Sequence, residues 1–418
     1  MAATLKNIIV VGGSYVGMVN SDITRLLEWC EAYIILKAAT KGLANALPAT
    51  HRVLLVEPHS HFHHLFAFPR FAIIPTHEHK AFIPYTGTFA ETPNADRHDV
   101  VRARVSALHP DRVVLDRDWQ GVREIPYEFL VVATGTKLRA PGTMLDDDKP
   151  LSVKYMQDYQ NKLKQAQSIA IIGGGAVGVQ MATDLKEIYP EKGVTLIHSR
   201  DQLMPLYHKK LDEIIKARCQ ELGIKLVLGS RVNIPEDDFQ MANGSGKPIT
   251  ISLQNGTTLQ ADAVIPATGQ TPNTQFLSTL PSSSEGSIIN PANKFIRVKP
   301  TLQFQDPKYP NLFAIGDVAD SGAHKAARPG LAHAQVLSNN ILDLINGREP
   351  AGQIEITPPA IHLTLGLTKN LVFRNPNMAE GATEPTMVHR DDGTRDMNID
   401  GVWLRRGVNV KSDADYHL

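Results

Sequence analysis

The sequence predicts an α/β protein with two Rossmann-like dinucleotide-binding domains, and three features of its 418 residues carry that prediction. Two apolar, β-branched runs each break off in small residues and pass into a helical pattern: Ile8-Ile-Val-Val-Gly-Gly-Ser-Tyr-Val-Gly17 and Ser168-Ile-Ala-Ile-Ile-Gly-Gly-Gly-Ala-Val-Gly178. Two later runs end alike, Leu130-Val-Val-Ala-Thr-Gly-Thr136 and Val264-Ile-Pro-Ala-Thr-Gly-Gln270. A fifth, Pro310-Asn-Leu-Phe-Ala-Ile-Gly-Asp-Val-Ala319, ends in Gly-Asp. Short apolar strands alternating with helical stretches build parallel sheets, whose ligands lie beyond the carboxyl ends of the strands.

In the first run Gly12, Ser14 and Gly17 occupy the glycine positions of G-x-G-x-x-G, with Gly13 between the first two. In that motif backbone N–H groups at a helix N-terminus meet a pyrophosphate. Ser14 departs from it: its Cβ crowds the closest backbone approach, while its hydroxyl can donate to a phosphate oxygen. Such a fold needs an acid at the end of its second strand to hold the adenosine ribose, and Arg52-Val-Leu-Leu-Val-Glu57 supplies Glu57. The interval from Gly17 to Glu57 is about twice the usual value of roughly twenty residues. The surplus falls between Met18 and Lys37, where Ile23, Leu26, Leu27, Cys30 and Ile34 form a helical stripe. It reads as a prolonged or doubled crossover helix; the alternatives are an insertion or a misread gene, because Ala38-Ala-Thr-Lys-Gly-Leu-Ala-Asn-Ala-Leu47 suffices for an ordinary crossover.

Next comes Pro58-His-Ser-His-Phe-His-His64, which sets His59, His61 and His63 on one face of an extended strand, with His77 and His79 nearby. The run holds no Cys or carboxylate ligand, so no metal is expected. The second glycine run is unbroken, with Gly173, Gly175 and Gly178 in register. Two dinucleotide folds in one chain imply two dinucleotides. Asp317 then presents one carboxylate at a strand end, placed either to accept from a sugar diol or to cap a helix.

Composition narrows the function classes. At 42% apolar and 21% charged the chain is an ordinary globular protein, and 43 basic residues balance 43 acidic ones, leaving no electrostatic footprint for nucleic acid. Cys30 and Cys219 are the only cysteines and form no C-x-x-C, which excludes a disulfide framework, a cysteine zinc site and a vicinal dithiol. The first residues lead straight into a strand with no signal-peptide pattern, residue 2 is not glycine, and no apolar run is long enough to cross a membrane. A soluble or peripheral protein that is not secreted is expected.

These five features, in this order, resemble the two-dinucleotide-fold flavoproteins that include glutathione reductase and the type II NADH dehydrogenases. Phe62-His-His-Leu-Phe-Ala-Phe-Pro-Arg70 and Val194-Thr-Leu-Ile-His-Ser199 are similar to the apoptosis-inducing-factor-like and ferroptosis-suppressor-protein-like branch, in its fungal form. The likeness covers residues 6 to about 350. It implies a glutathione-reductase-like FAD/NAD(P) fold: an FAD domain of residues 1–140 and 265–345, an NAD(P)H domain of 141–264, and a small C-terminal α+β interface domain of 346–418. It implies FAD contacts at Gly12, Gly13, Ser14, Gly17, Glu57, His63, Arg70, Val105, Thr134, Gly135, Gly316 and Asp317, and nicotinamide-dinucleotide contacts at Gly173, Gly175, Gly178, Gln180, His198, Arg200 and Gly269. His63 then walls the flavin pocket, and Arg70 lies beside the isoalloxazine or forms a surface ion pair. The helix opening at Arg328-Pro-Gly points its positive end at the flavin.

At the second strand of the nucleotide domain His198-Ser199-Arg200 stands where NADH enzymes often place an acid. Nothing there repels a 2′-phosphate and Arg200 can bind one, so NADH and NADPH both serve, with a tilt to NADPH. Gln180 replaces a glutamate that reaches the nicotinamide carboxamide. The implied activity is an FAD-dependent NAD(P)H oxidoreductase that reduces a quinone or O2, with Lys325 either a donor to a quinone oxygen or merely exposed, and with residues 323–329 and 361–367 as walls. The alternatives are an oxidoreductase tailoring one metabolite and a slow redox-signalling flavoprotein. The expected setting is the cytoplasm or the periphery of mitochondrial or lipid-droplet membranes, with a homodimer admissible.

Overall fold

The computed structural model of the chain describes residues 5–15, 39–233, 239–242, 247–283 and 286–418; Gly17, Cys30 and the Met18–Lys37 surplus lie outside the described residues. The expected apolar runs form β1 (Lys6–Val11), β2 (His51–Val56), β4 (Phe129–Val132), β5 (Ser168–Ile172), β6 (Gly193–Ile197), β9 (Ala263–Pro266) and β10 (Leu312–Ala314), joined by β3 (Asp99–Val101), β7 (Lys225–Val227) and β8 (Gln240–Met241), which the sequence does not single out. One sheet has the order β10-β4-β1-β2-β3 and is parallel throughout. The other has the order β7-β6-β5-β9-β8, parallel except for β8 against β9.

A parallel sheet is covered on both faces, so its strands read as continuous apolar runs rather than alternating ones. In the first sheet Ile8, Val10, Val53 and Leu55 pack with Leu43 of α1 (Ala39–Ala46) and with Leu337 and Ile341 of the helix Ala327–Ile345. Ile9, Val11, Leu54 and Leu130 face the other way, onto a three-stranded meander spanning Val105–Leu108, Arg112–Trp119 and Val122–Pro126. The crossover into β2 is α1, which coincides with the segment that suffices by itself.

Among the described residues, the remaining helices of seven residues or more are α2 (Lys149–Gln165), α3 (Ala176–Ile188), α4 (Lys209–Glu221), α5 (Ala327–Ile345) and α6 (Ile399–Arg405). The chain passes between the two sheets twice, along Thr136–Leu138 and back along Gln270–Pro272, and these passages pair antiparallel with each other. The C-terminal residues form an antiparallel sheet of β11 (Ala360–Thr364), β12 (Asn370–Arg374) and β13 (Thr386–Arg390). Its Leu363, Leu365, Leu371 and Phe373 join the same core as Ile169, Ile171 and Leu185 of the second domain. Helix α6 instead drives Trp403 into a cluster with Phe62, Phe68, Phe71 and Phe82 of the first. Trp403 is fully buried and its indole N–H donates to Lys80 O at 2.8 Å. Losing a side chain so placed costs about 3–5 kcal/mol, so the C-terminal segment is clamped to both domains.

Candidate functional site

The two glycine turns are built on one plan. Gly12 and Gly173 adopt φ of +107° and +131°, where a side chain is strained. A Cβ at Gly12 would stand 2.5 Å from Ala133 O, and one at Gly173 2.3 Å from Ala267 O. Those carbonyls belong to the two Ala-Thr-Gly ends, so each such end closes against the first glycine of its own fold. A Cβ at Gly178 would stand 1.9 Å from Gly173 O, so the third glycine lets α3 lie against the turn. Gly175 is different: apart from its own neighbours in the chain, no atom of the described residues lies within 4 Å of a Cβ built there. Packing does not demand that glycine; it leaves open space at the N-cap of α3, where a pyrophosphate sits. The matching position in the first turn is Ser14, half-buried.

The end of each second strand returns to the middle glycine. Glu57, 5% exposed, accepts from the Gly13 N–H at 2.5 Å and from the His59 N–H at 3.0 Å, and it also pairs with His59 Nδ1. Burial pushes its carboxyl up, but the hydrogen bond and charge of His59 with the two N–H donors outweigh that and hold it below its usual range. In the second fold His198 takes the corresponding place, its Nδ1 accepting from the Gly174 N–H at 3.1 Å. Burial, helped by the nearby Arg200 charge, lowers the His198 pKa. A hydrogen bond to the Gln202 main chain opposes that fall without reversing it, and with Nδ1 accepting, the proton of the neutral ring sits on the buried Nε2. A donor stands where a carboxylate acceptor was the pattern, and Arg200 beside it is exposed.

At the end of β10 the chain makes the turn Gly316–Val318, and Asp317 has no hydrogen-bond partner among the described residues. It caps no helix, since α5 begins after Ala326. Burial raises its carboxyl pKa and the Lys325 charge opposes the rise. Lys325 is half-buried rather than exposed: its Nζ donates to Ala319 O and lies 4.3 Å from the centroid of the Phe295 ring. Asp320, by contrast, is held by the Asn290 and Asn293 amides at 2.7 and 3.1 Å. On α5, His333 is buried with neither ring nitrogen partnered among the described residues, and burial lowers its pKa to about 4.

His63 is buried among His59, Phe68 and Phe82, and its Nε2 has no partner among the described residues. Thr134 and Asn273 exchange hydrogen bonds of 2.8 and 2.9 Å beside Gly135 and Gly269, both at positive φ. Gln180 is buried, its amide 3.5 Å from Phe66 O. Val105 spends its side chain in the core of the first domain, so a role in cofactor binding reduces to its main chain.

Arg70 requires a correction. Its side chain is 1% exposed, and the five N–H donors of its guanidinium go to Asp184 Oδ1 and Oδ2 at 2.9 Å each and to the carbonyls of Gly366, Leu367 and Thr394. No donor is left for an isoalloxazine, and the pair is not on the surface; Arg70 ties the first domain to α3 and to the C-terminal segment. Arg406, at the far end of the chain, stands near the first glycine turn instead, as does Tyr15, and neither was selected from the sequence.

The free space at Gly175 and the Asp317 carboxylate, unpartnered among the described residues, lie at the ends of the two folds' strands. A family model described as pyridine nucleotide-disulphide oxidoreductase matches residues 36–338. Fe-regulated protein 8 of Mycosarcoma maydis is 34% identical over 97% of this chain and 96% of its own length. Ferroptosis suppressor protein 1 of Mus musculus is 30% identical over 71% of this chain and 75% of its own. The solved sulfide:quinone oxidoreductase of Aquifex aeolicus shares the fold, with a TM-score of 0.69 over 97% of this chain and 93% of its own at 17% identity. A match over so much of the chain, joined to a relative aligned along nearly its whole length, makes this protein a member of the pyridine nucleotide-disulphide oxidoreductase family.

Proposed function

We propose that the chain is an FAD-dependent NAD(P)H oxidoreductase whose electron acceptor is a quinone. The observation that carries the acceptor is the state of its thiol: Cys219 is fully buried in the core of the second domain and burial pushes its pKa up to about 11. A thiol so placed does not relay electrons. Cys30 lies outside the described residues and forms no sequence pair with it. The acceptor therefore has to meet the cofactor directly, which suits a planar apolar molecule. The likeness to a protein named for ferroptosis suppression and to one named as a quinone oxidoreductase supports the same reading.

Bound FAD supplies the redox chemistry, taking hydride from the nicotinamide and releasing electrons to the acceptor. The chain's own residues bind and orient. The N–H groups of the first turn hold the diphosphate, Glu57 the adenosine ribose, and Asp317 accepts from a ribityl hydroxyl. The positive end of the 19-residue α5 lies beyond Asp317 and favours negative charge on the flavin. In the second fold the turn Gly173–Gly178 holds the other diphosphate. His198 Nε2–H donates to the 2′ oxygen of its adenosine ribose or to a phosphate there, and Arg200 adds charge that favours NADPH. Lys325, an ammonium beside Asp317, donates to a quinone oxygen. Of the apolar stretch 361–367, Leu363 and Leu365 are spent in the second-domain core, leaving Ile361 and the segment from Ala323 to Pro329 for the wall.

The test is anaerobic reduction of the purified protein by NADH and by NADPH, followed optically, with acceptors then added one at a time. Fast repeated turnover with a soluble quinone supports the proposal. Turnover confined to one unusual metabolite, or slow formation of a long-lived reduced complex, replaces it with a tailoring or a signalling role.

A further inference from the structure

We propose that Arg406, carried in by the C-terminal segment, binds the diphosphate of FAD. Arg406 follows α6 directly, and its carbonyl oxygen lies 2.2 Å from where a Cβ at Gly87 would stand. That close approach, with Trp403 three residues earlier, fixes the segment against the first domain. The guanidinium is 8% exposed and lies 3.7 Å from the centroid of the Phe62 ring and 5.8 Å from that of Tyr15, the residue after Ser14. Its Nη1 is buried and no acceptor for it exists among the described residues.

Tyr15, Phe62, Tyr85 and His64 around it are neutral, and Arg405 adds a like charge rather than a counterion. Burial raises the phenol pKa of Tyr15 and of Tyr85, and lowers that of His64 to about 3 with help from Arg406 and Arg405. The nearby carboxylate, Glu57, is already used by Gly13 and His59. Burial weakens the guanidinium, yet only to a pKa of about 10, so it remains a cation at neutral pH. A buried cation with no counterion is costly unless one arrives.

The position of this cation says which anion arrives. Tyr85 touches the first glycine turn, its hydroxyl donating to Gly13 O at 3.4 Å, and Tyr15 continues that turn. Arg406 thus stands beside Tyr15 and Tyr85, the two side chains that adjoin the first glycine turn. The charged group of FAD at such a turn is the diphosphate, and a guanidinium matches phosphate oxygens in pairs.

The inference rests on FAD occupying the first fold, and the experiment separates the two. Full-length wild type, Arg406→Gln and Arg406→Lys are purified with FAD, and FAD affinity, flavin potential and the melting temperature of the stripped chain are measured. Arg406→Gln should weaken FAD binding by about tenfold or more, Arg406→Lys should recover part of it, and NADPH affinity should not change. The stripped Arg406→Gln chain should melt no lower than the stripped wild type, because an unpaired buried charge has been removed. A purely structural stacking role on Phe62 predicts the reverse: FAD affinity kept and the stripped chain destabilised, which would overturn the proposal. Unchanged affinity with an altered flavin potential would also overturn it, placing the guanidinium at the ring. Wild type that holds no FAD at all would refute the site itself rather than this residue.

Discussion

Replacing Arg70 by methionine removes a cation from a site with no access to water. The side chains of Arg70 and Asp184 are 1% and 0% exposed, and they are joined through two oxygens at 2.9 Å. Arg70→Met keeps the volume but leaves a buried carboxylate without its partner, and it strips donors from the carbonyls of Gly366, Leu367 and Thr394. Breaking one side of such a pair costs about 3–5 kcal/mol. At roughly 2–4 °C per kcal/mol for a cooperative unit of ~150–250 residues, the melting midpoint should fall by roughly 6–20 °C. The double variant Arg70→Met/Asp184→Leu removes the stranded charge as well. It should lie between the single variant and wild type, short of full recovery because the Gly366 and Leu367 carbonyls lose their Arg70 donor at ~1–3 kcal/mol each, whereas Thr394 O keeps the Met397 N–H. The assay is thermal unfolding with saturating FAD, followed by tryptophan fluorescence. A single variant melting within 2 °C of wild type (about one kcal/mol), or a double variant no better than the single one, would refute the assignment of Arg70 as a buried tie.

Asp317→Ala should cost FAD retention far more than Asp320→Ala, since Asp317 has no hydrogen-bond partner among the described residues and Asp320 is occupied by two asparagines; equal FAD content after gel filtration would count against the role. Gly175→Leu should raise KM for both NADH and NADPH while leaving bound FAD and melting temperature in place, because a side chain there meets only ligand space; Gly178→Ala should instead lower the melting temperature, having a carbonyl at 1.9 Å from its Cβ. Arg200→Glu should reduce use of NADPH much more than NADH in steady-state kinetics, and an unchanged preference ratio would show that Arg200 points elsewhere. The Glu57–His59 pair sets a pH dependence. Glu57, held below its ordinary 4.5, stabilises the fold above that pH and ceases to as pH falls through its lowered value; His59, raised above 6.5, stabilises below 6.5 and ceases to as pH rises through its raised value. His59→Ala should therefore lower the melting temperature more at pH 6 than at pH 9, and a pH-independent difference would show that the pair does not titrate.

The features legible in the sequence are those whose cause is local. Gly12, Gly173 and Gly178 are glycine because a backbone passes within a Cβ radius, and Glu57 and Asp317 follow strands whose apolar runs announce where they end. His198 was legible as a missing acid, although that its Nδ1 would accept from Gly174 needed the folded turn. Arg70 was misjudged because its partners lie 114 and about 300 residues away, at α3 and in the C-terminal loops, and nothing in Phe68-Pro-Arg70 says which carboxylate will meet it. Arg406 escaped for the same reason: its neighbours Tyr15, Phe62 and Tyr85 come from the opposite end of the chain. The C-terminal sheet has too few apolar residues for a core of its own, and the sequence does not reveal that they complete someone else's.

The antiparallel pairing of Thr136–Leu138 with Gln270–Pro272 brings the entry and exit of the second domain side by side. A segment whose two ends already touch can be spliced into a host, or out of it, with little loop-closure entropy. The later strands β11 and β12 undo that modularity, because they return after the host is finished and fill the guest's core with Leu363, Leu365 and Phe373. What connectivity makes a detachable cassette is thus held permanently in place by a strap added downstream, and a cut through residues 139–269 would bare apolar surface on both pieces.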